Sequence, residues 1–254
     1  MIKLLDLLNE GVYDKGILKA IFLAGGPGSG KTYAATGLFG IPDKVNLSYT
    51  GLKMVNQDTE FEKLLKDYGF GTDLDSMPDE VFADLTGYDK KTDQPITGVQ
   101  SGLRDWAKKL TKTRRKLYEN GRLGMIVDGT GDDYGKIAVQ KSKLEDIGYD
   151  SYMIFINTTL EVALYRNENR KRVLPKKLVL DSWHACQKNI GRFQGLFKNE
   201  IVIIDNSKHL EEEEAKSKFD SLSKTYIDKF VKKPIRNPKG KNWIRHQKIL
   251  KKRK

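Results

Sequence analysis

Eight residues, Gly25-Gly26-Pro27-Gly28-Ser29-Gly30-Lys31-Thr32, constrain what this chain can fold into more than any other stretch. They match G-x-x-x-x-G-K-[ST] at every fixed position. The apolar run Ala20-Ile21-Phe22-Leu23-Ala24 before them reads as a buried strand, and Thr32 to Leu38 can open a helix. In that setting the glycines let successive backbone N–H groups converge on one anion. Lys31 would reach the β- and γ-phosphates of a nucleoside triphosphate, and the Thr32 hydroxyl would hold Mg²⁺. The helix that follows presents its positive end to the same phosphates. Gly25, Gly26, Pro27, Gly28, Ser29, Gly30, Lys31 and Thr32 are therefore the expected nucleotide-binding residues.

The rest of the chain alternates short apolar runs with helical patterns, as a parallel sheet flanked by helices requires. Strands are expected at 20–24, 52–56, 123–127, 152–156 and 201–204. Helices are expected near 2–9, 31–38, 59–68, 78–85, 99–119, 135–147, 159–170, 176–195 and 209–231. In the 99–119 helix Leu103, Trp106, Ala107, Leu110 and Leu117 make an apolar stripe at helical spacing, opposite Arg104, Lys108, Lys112 and Arg115. Thr158 followed by Glu161 has the form of a capping box. Residues 69–98, rich in Gly, Asp and Pro, interrupt the alternation and read as an insertion or lid. The expected organisation is a lead-in over 1–17, one α/β domain over 18–231 with that insertion, and a tail over 232–254.

Ligands of open parallel sheets bind beyond the carboxyl ends of the strands. The second strand runs into Gln57-Asp58 and the third into Asp128-Gly129-Thr130-Gly131, so both aspartates should stand beside the loop. Asp128 suits Mg²⁺ binding, directly or through water. Asp58 suits the general base that takes a proton from an acceptor hydroxyl, or the N-cap of the 59–68 helix, or both. Arg166 and Arg170 are four residues apart and share a helix face. Together with Lys171 and Arg172 before Leu174-Pro175, they read as a cationic lid that would neutralise charge on a transferring phosphoryl group.

Phosphate loop, strand-end Asp58, Val127-Asp128-Gly129-Thr130 and the Arg-rich segment after the fourth strand together resemble the small P-loop kinases, in particular zeta-toxin and polynucleotide-kinase-like enzymes. The resemblance covers roughly residues 18–206, and the overall layout is similar to kinase-like proteins of large tailed bacteriophages. It implies the three-layer P-loop NTPase fold with a five-stranded, mostly parallel sheet. It also implies ATP as donor, Asp58 as base, Lys31, Arg166 and Arg170 as charge stabilisers, and a hydroxyl acceptor, for which Thr130 is a candidate contact. These families often carry an arginine shortly after the base. Here Thr59, Glu60, Phe61, Glu62 and Lys63 follow Asp58, and Arg104 or Arg115 would have to substitute.

The acceptor turns on charge. The net +12 is confined to the end of the chain: residues 229–254 carry 12 Lys/Arg and no Asp/Glu, and the remainder balances 34 basic against 34 acidic residues. Pro234, Pro238 and Gly240 make this tail read as extended or loosely ordered. Its cations, with Trp243 and His246 to stack on bases, suit DNA or RNA. A kinase of a nucleic-acid hydroxyl is thus one reading, and a zeta-toxin-like kinase of a metabolite such as a nucleotide sugar is another. A nucleoside monophosphate kinase, which needs no base, is a third. A switch GTPase lacks its N-K-x-D motif, and a motor ATPase would place Glu rather than Gly129 after Asp128. The histidines, His184, His209 and His246, have no metal spacing. The single cysteine, Cys186, excludes an internal disulfide and suits a buried position in a cytoplasmic protein. Met1–Leu8 is too short and too charged for a signal peptide, and no apolar run is long enough to span a membrane.

Overall fold

The structure, a computed structural model, describes residues 12–41, 47–48, 50–72, 74, 76–92, 94–97, 102–169, 174, 176–208 and 212–252, with Thr32, Glu212, Ala215 and Lys216 described by backbone alone. The helix expected at 2–9 lies outside these residues. Strands β1 (Lys19–Ala24), β2 (Lys53–Val55), β3 (Met125–Asp128), β4 (Asp150–Asn157) and β5 (Ile201–Asp205) form one parallel sheet in the order β2-β3-β1-β4-β5. Ten α-helices among the described residues accompany it: α1 (Lys31–Phe39), α2 (Gln57–Asp67), α3 (Asp79–Thr86), α4 (Leu103–Gly121), α5 (Tyr134–Asp146), α6 (Leu160–Glu168), α7 (Lys176–Phe197), α8 (Glu212–Leu222), α9 (Lys229–Lys232) and α10 (Pro238–Lys252). A π-helical turn, Ser223–Asp228, joins α8 to α9. Each expected strand is present with ends shifted by three residues or fewer.

Every residue of β1 is buried, because helices cover both faces of a parallel sheet. Side chains alternate between the faces. Ile21 and Leu23 join Ala34, Leu38, Phe219 and Phe230 on one side, whereas Ala20, Phe22 and Ala24 join Val127, Ile137, Phe193 and Phe197 on the other. The 69–98 insertion is built around α3 and an antiparallel bridge from Tyr88 to Pro95. With α2 and the first turns of α4 it buries a separate apolar cluster that includes Phe61, Leu65, Leu74, Leu85 and Leu103. These helices follow β2, an edge strand, and so stand at one side of the sheet.

Three expectations are corrected. In α4 only Leu103 and Ala107 of the apolar stripe are buried; Trp106, Leu110 and Leu117 are exposed, because α4 packs on α2 and the insertion along a narrower face than the pattern implies. The cap of α6 is Thr159, whose hydroxyl accepts from the Val162 N–H, while Thr158 donates its hydroxyl to the Asn206 carbonyl. The tail is neither extended nor loose. Its last fifteen described residues are α10, and Trp243 and Ile244 pack against the core cluster under α5 and α7.

The tail is pinned by a buried charge. Lys19, at the amino end of β1, and Asp150, at the amino end of β4, are 2% and 6% exposed and pair at 3.1 Å. The carboxylate also accepts the backbone N–H groups of Arg236 and Asn237, each at 2.9 Å. Burial lowers the Lys19 ammonium from its ordinary value against the pull of Asp150, and the Phe230 ring lies 4.8 Å from it. Beyond the clamp, Gly240 meets the turn between α5 and β4 so closely that a Cβ there would stand 2.3 Å from the Gly148 carbonyl oxygen. Asp150→Ala would strand a buried ammonium and two backbone donors. We expect it to cost about 3–5 kcal/mol, read as a lower urea midpoint; an unchanged midpoint would show the clamp to be passive.

Candidate nucleotide and acceptor site

The phosphate loop leaves β1 at its carboxyl end. Gly28 is in the left-handed region at φ 73°, and a Cβ there would stand 2.2 Å from the Ala163 carbonyl oxygen of α6, so only glycine lets loop and helix meet. Gly30 is the N-cap of α1 and supplies no side-chain cap. The first N–H groups of α1 are thereby left to an anion, as a phosphate cradle requires. The Gly25 N–H donates to the Thr130 carbonyl at 3.0 Å, which ties the loop to the segment after β3. Lys31 begins α1. Thr32 lies within α1, and its side chain is outside the described residues.

Asp128 closes β3 beside the loop. Its Oδ1 stands 3.1 Å from the Lys31 Nζ but off the line of a hydrogen bond, so this buried oxygen has no hydrogen-bond partner. Its Oδ2 accepts from the Asn56 Nδ2 at 2.7 Å. Burial pushes the Asp128 carboxyl above its ordinary value, Lys31 pulls it down, and the nearby charge of Asp58 adds to the push. A buried carboxylate oxygen beside a phosphate cradle, held only by the Lys31 ammonium, is of a kind that fits Mg²⁺, a hard cation with a preference for carboxylate oxygen. Among the described side chains, Asp128 is the one that would hold it.

Asp58 stands in the first turn of α2, close enough for its charge to act on Asp128. It does not cap that helix. Asn56 does, its Oδ1 accepting the N–H groups of Asp58 at 2.7 Å and Thr59 at 3.4 Å. One asparagine thus fixes both aspartates, with its carbonyl on the helix that carries Asp58 and its amide on Asp128. Sequence reasoning passed over Asn56, although Asn between a strand and a helix is a strong cap signal.

Arg166 reaches the loop from α6, where its Nη1 donates to the Asn206 carbonyl at 2.9 Å and to the Ser29 carbonyl at 3.5 Å. Burial lowers the guanidinium from its ordinary value. Rather than a free lid residue, Arg166 is a brace under the loop. Asn206, after β5, completes that brace through a 2.8 Å bond from its Nδ2 to the Ser29 carbonyl. Arg170 lies outside the described residues. The side chain of Asn167 exchanges two hydrogen bonds with the Leu174 backbone, at 2.8 and 3.0 Å, across that segment.

The Thr130 hydroxyl donates to Asp132, and its carbonyl also accepts from the Cys186 thiol at 3.2 Å. Burial pushes that thiol up to about 12, which suits packing rather than nucleophilic chemistry. Asn189 of α7 donates to the Gly131 and Asp132 carbonyls at 3.2 and 2.7 Å, so α7 holds the β3 loop from behind. A pocket of about 490 Å³ opens here, lined by Asp128, Thr130, Asp132, Asp133, Lys136 and Gln140 among others. The other two proposed acceptor contacts are not brought to the loop. Arg104 stacks on the Tyr88 ring within the insertion at 4.8 Å. Arg115 pairs with Glu119 at 2.7 Å, and its charge acts on Tyr149 at the amino edge of the sheet.

Neither a protein-family model nor a curated protein matches the chain. Among solved structures it is similar to the AvrRxo1-ORF1:AvrRxo1-ORF2 complex with sulphate ions, with 14% identity, 93% of this chain and 78% of that chain covered, and a TM-score of 0.52. It also matches shikimate kinase from Bacteroides thetaiotaomicron, with 12% identity, 82% and 97% covered and a TM-score of 0.44. A third match is the PezAT toxin-antitoxin system of Streptococcus pneumoniae, with 12% identity, 85% and 88% covered and a TM-score of 0.44. The parallel sheet with its phosphate loop after the central strand is the three-layer P-loop NTPase fold. Among the described residues no helix is long and apolar enough to cross a membrane.

The raised Asp128 sets a linkage. A carboxyl whose folded pKa lies above its unfolded value binds a proton more readily when folded, so stability is lost as pH rises from the unfolded value through the folded one. We expect Asp128→Asn to unfold at a higher temperature than the parent at pH 7.5 without nucleotide. The gap should close as pH falls towards the ordinary carboxylate range, where the parent is protonated too. A variant less stable at pH 7.5 would show that Lys31 and Asn56 outweigh the burial.

Proposed function

We infer that the protein is an ATP-dependent phosphotransferase that moves the γ-phosphoryl group to a hydroxyl acceptor. One observation carries this reading: a phosphate cradle, a lysine and two aspartates converge at the carboxyl edge of the sheet, with Asp128 and Lys31 paired at 3.1 Å. Mg²⁺, when held by Asp128, would offset the negative charge of the phosphates. Lys31 would exchange part of its contact with Asp128 for the phosphates. Asp58 would take the proton of the acceptor hydroxyl as its oxygen bonds to the γ-phosphorus and the bond to the β-phosphate oxygen breaks, leaving ADP. Arg166 and Asn206 would keep the loop in shape by holding the Ser29 carbonyl.

A metabolite-sized acceptor suits the site better than a nucleic acid. The pocket beside Asp128, at about 490 Å³, is in the range of small-molecule sites. The basic tail, which gave the nucleic-acid acceptor its support, is anchored at the opposite edge of the sheet through Asp150 and Gly148. Labelled ATP offered with sugars, polyols, nucleotides, nucleotide sugars and oligonucleotides tests this directly, and transfer to oligonucleotides alone would reverse the preference. Lys31→Ala should abolish transfer and most of the Mg-ATP thermal shift while leaving the fold intact. Asp58→Asn should lower turnover by roughly 10² or more with little change in ATP affinity. Undiminished turnover would leave Asp58 without a catalytic role and favour a phosphate acceptor, as in a nucleoside monophosphate kinase.

Arg166→Ala separates bracing from direct contact with the reacting phosphate. As a brace it should weaken nucleotide binding and turnover together, and Asn206→Ala should follow it in both, since each removes a donor from the Ser29 carbonyl. A loss confined to turnover in Arg166→Ala alone would return this arginine to the role of charge stabiliser.

A further inference from the structure

We propose that α10 carries a nucleic-acid backbone site at the amino edge of the sheet, distinct from the phosphotransfer site. The helix packs through Gly240, Trp243 and Ile244. About a third of a turn round from that face, Lys241, Arg245, Lys248 and Lys252 follow at spacings of four, three and four residues, and all four are exposed. That spacing places them in one row. Their neighbours account for the other cations differently: Lys239 pairs with Asp146 at 3.2 Å, Arg236 with Glu200 at 2.8 Å, and Lys251 lies over the Tyr13 ring at 4.8 Å. Among the described residues no carboxylate pairs with the four. A second group of exposed lysines, Lys224, Lys229, Lys232 and Lys233, lines a shallow groove with Asp228 on the turn that leads to the clamp.

The chemistry of the row selects the partner. It holds like charges at a fixed repeat, spans about 16 Å of helix and would match about five phosphates of one strand. A bilayer would need a broad free apolar face beside the cations, whereas α10 packs Trp243 and Ile244 on the body and exposes only Ile249 and Leu250, about 100° apart round the helix. A protein partner would need an apolar core within the contact, and beside this row only Ile249 offers exposed apolar surface. Trp243 is half-buried among core residues, so recognition would rest on phosphates without base stacking. The row is anchored at the amino end of β1 and the phosphate loop leaves its other end, six residues away, or about 20 Å. Bound nucleic acid would therefore tether the enzyme rather than enter its phosphotransfer site.

The test uses the full chain and 30-base-pair duplexes of DNA and RNA. Four stripe contacts would weaken binding about 100-fold between 50 and 200 mM NaCl. Replacing Lys241, Arg245, Lys248 and Lys252 together by Gln should remove most binding at 50 mM and flatten the salt dependence, with the thermal midpoint unchanged. Replacing the exposed Lys66, Lys109, Lys112 and Lys116 by Gln removes the same charge from α2 and α4 and should leave most binding intact. Absence of binding to either duplex at 50 mM NaCl overturns the proposal. So does equal loss in both variants, or a stripe variant that binds like the parent. Binding to phosphatidylserine vesicles but to neither duplex would assign the row to a membrane instead. None of these readouts depends on phosphotransfer, so they stand apart from the fate of Asp58 and Lys31.

Discussion

Burial of β1 on both faces is the constraint from which the rest of the molecule follows. A strand with a sheet neighbour on each side and helices above and below has no lateral route to water. Charge can be placed only at its two ends, and both ends are used. At the amino end Lys19 is sealed in by Asp150, the Phe230 ring and the returning C-terminal segment. At the carboxyl end the chain turns into the phosphate loop, where donors are left open. The same six residues thus separate a closed ion pair that serves folding from an open one, Lys31–Asp128, that a ligand can enter.

The open end is costly to build, and the costs are met by uncharged side chains. Asp128 is buried with an oxygen lacking a hydrogen bond, a state that persists only if the surroundings are held firmly. Three asparagines do much of that holding. Asn56 joins Asp128 to the helix of Asp58, Asn189 fixes the loop after β3, and Asn206 fixes the Ser29 carbonyl. An amide can donate to one element and accept from another without adding charge. That property matters where a further cation would compete with Lys31 and a further anion would raise Asp128 again. Arg166 is the exception, and it stands behind the loop with its charge spread over three carbonyls.

Much of the fold was legible because the relevant signals are local. Short apolar runs bounded by glycine or polar residues mark buried parallel strands, and the motif at Gly25–Thr32 identifies the one that carries the phosphate loop. Strand-end Asp128 and Asp58 followed from the polarity of the sheet. The bracing asparagines were not legible, since an asparagine shows its role only when the fold brings a carbonyl or carboxylate to each end of its amide. Arg104 and Arg115 were misjudged for a related reason. Helical spacing says which residues share a face but not which face meets the sheet, and in α4 the insertion and Glu119 claim them. The exposed Trp106 and Leu117 record the same ambiguity from the apolar side.

The tail shows how composition and packing can disagree. Twelve cations, two prolines and a glycine within 26 residues describe a solvated segment by average composition. Folding is decided instead by a few positions. Arg236 and Asn237 offer backbone donors to a buried carboxylate, Gly240 permits contact with the α5–β4 turn, and Trp243 and Ile244 supply the apolar surface. Proline at the first position of α10 then starts the helix without losing a bond, since that N–H has no partner within a helix. The cations fall on the faces left over. A disordered tail would average their charge over a large volume, whereas α10 fixes four of them in a row at one end of the molecule. The same packing that removes Trp243 as a stacking residue therefore gives the charge a defined line and direction.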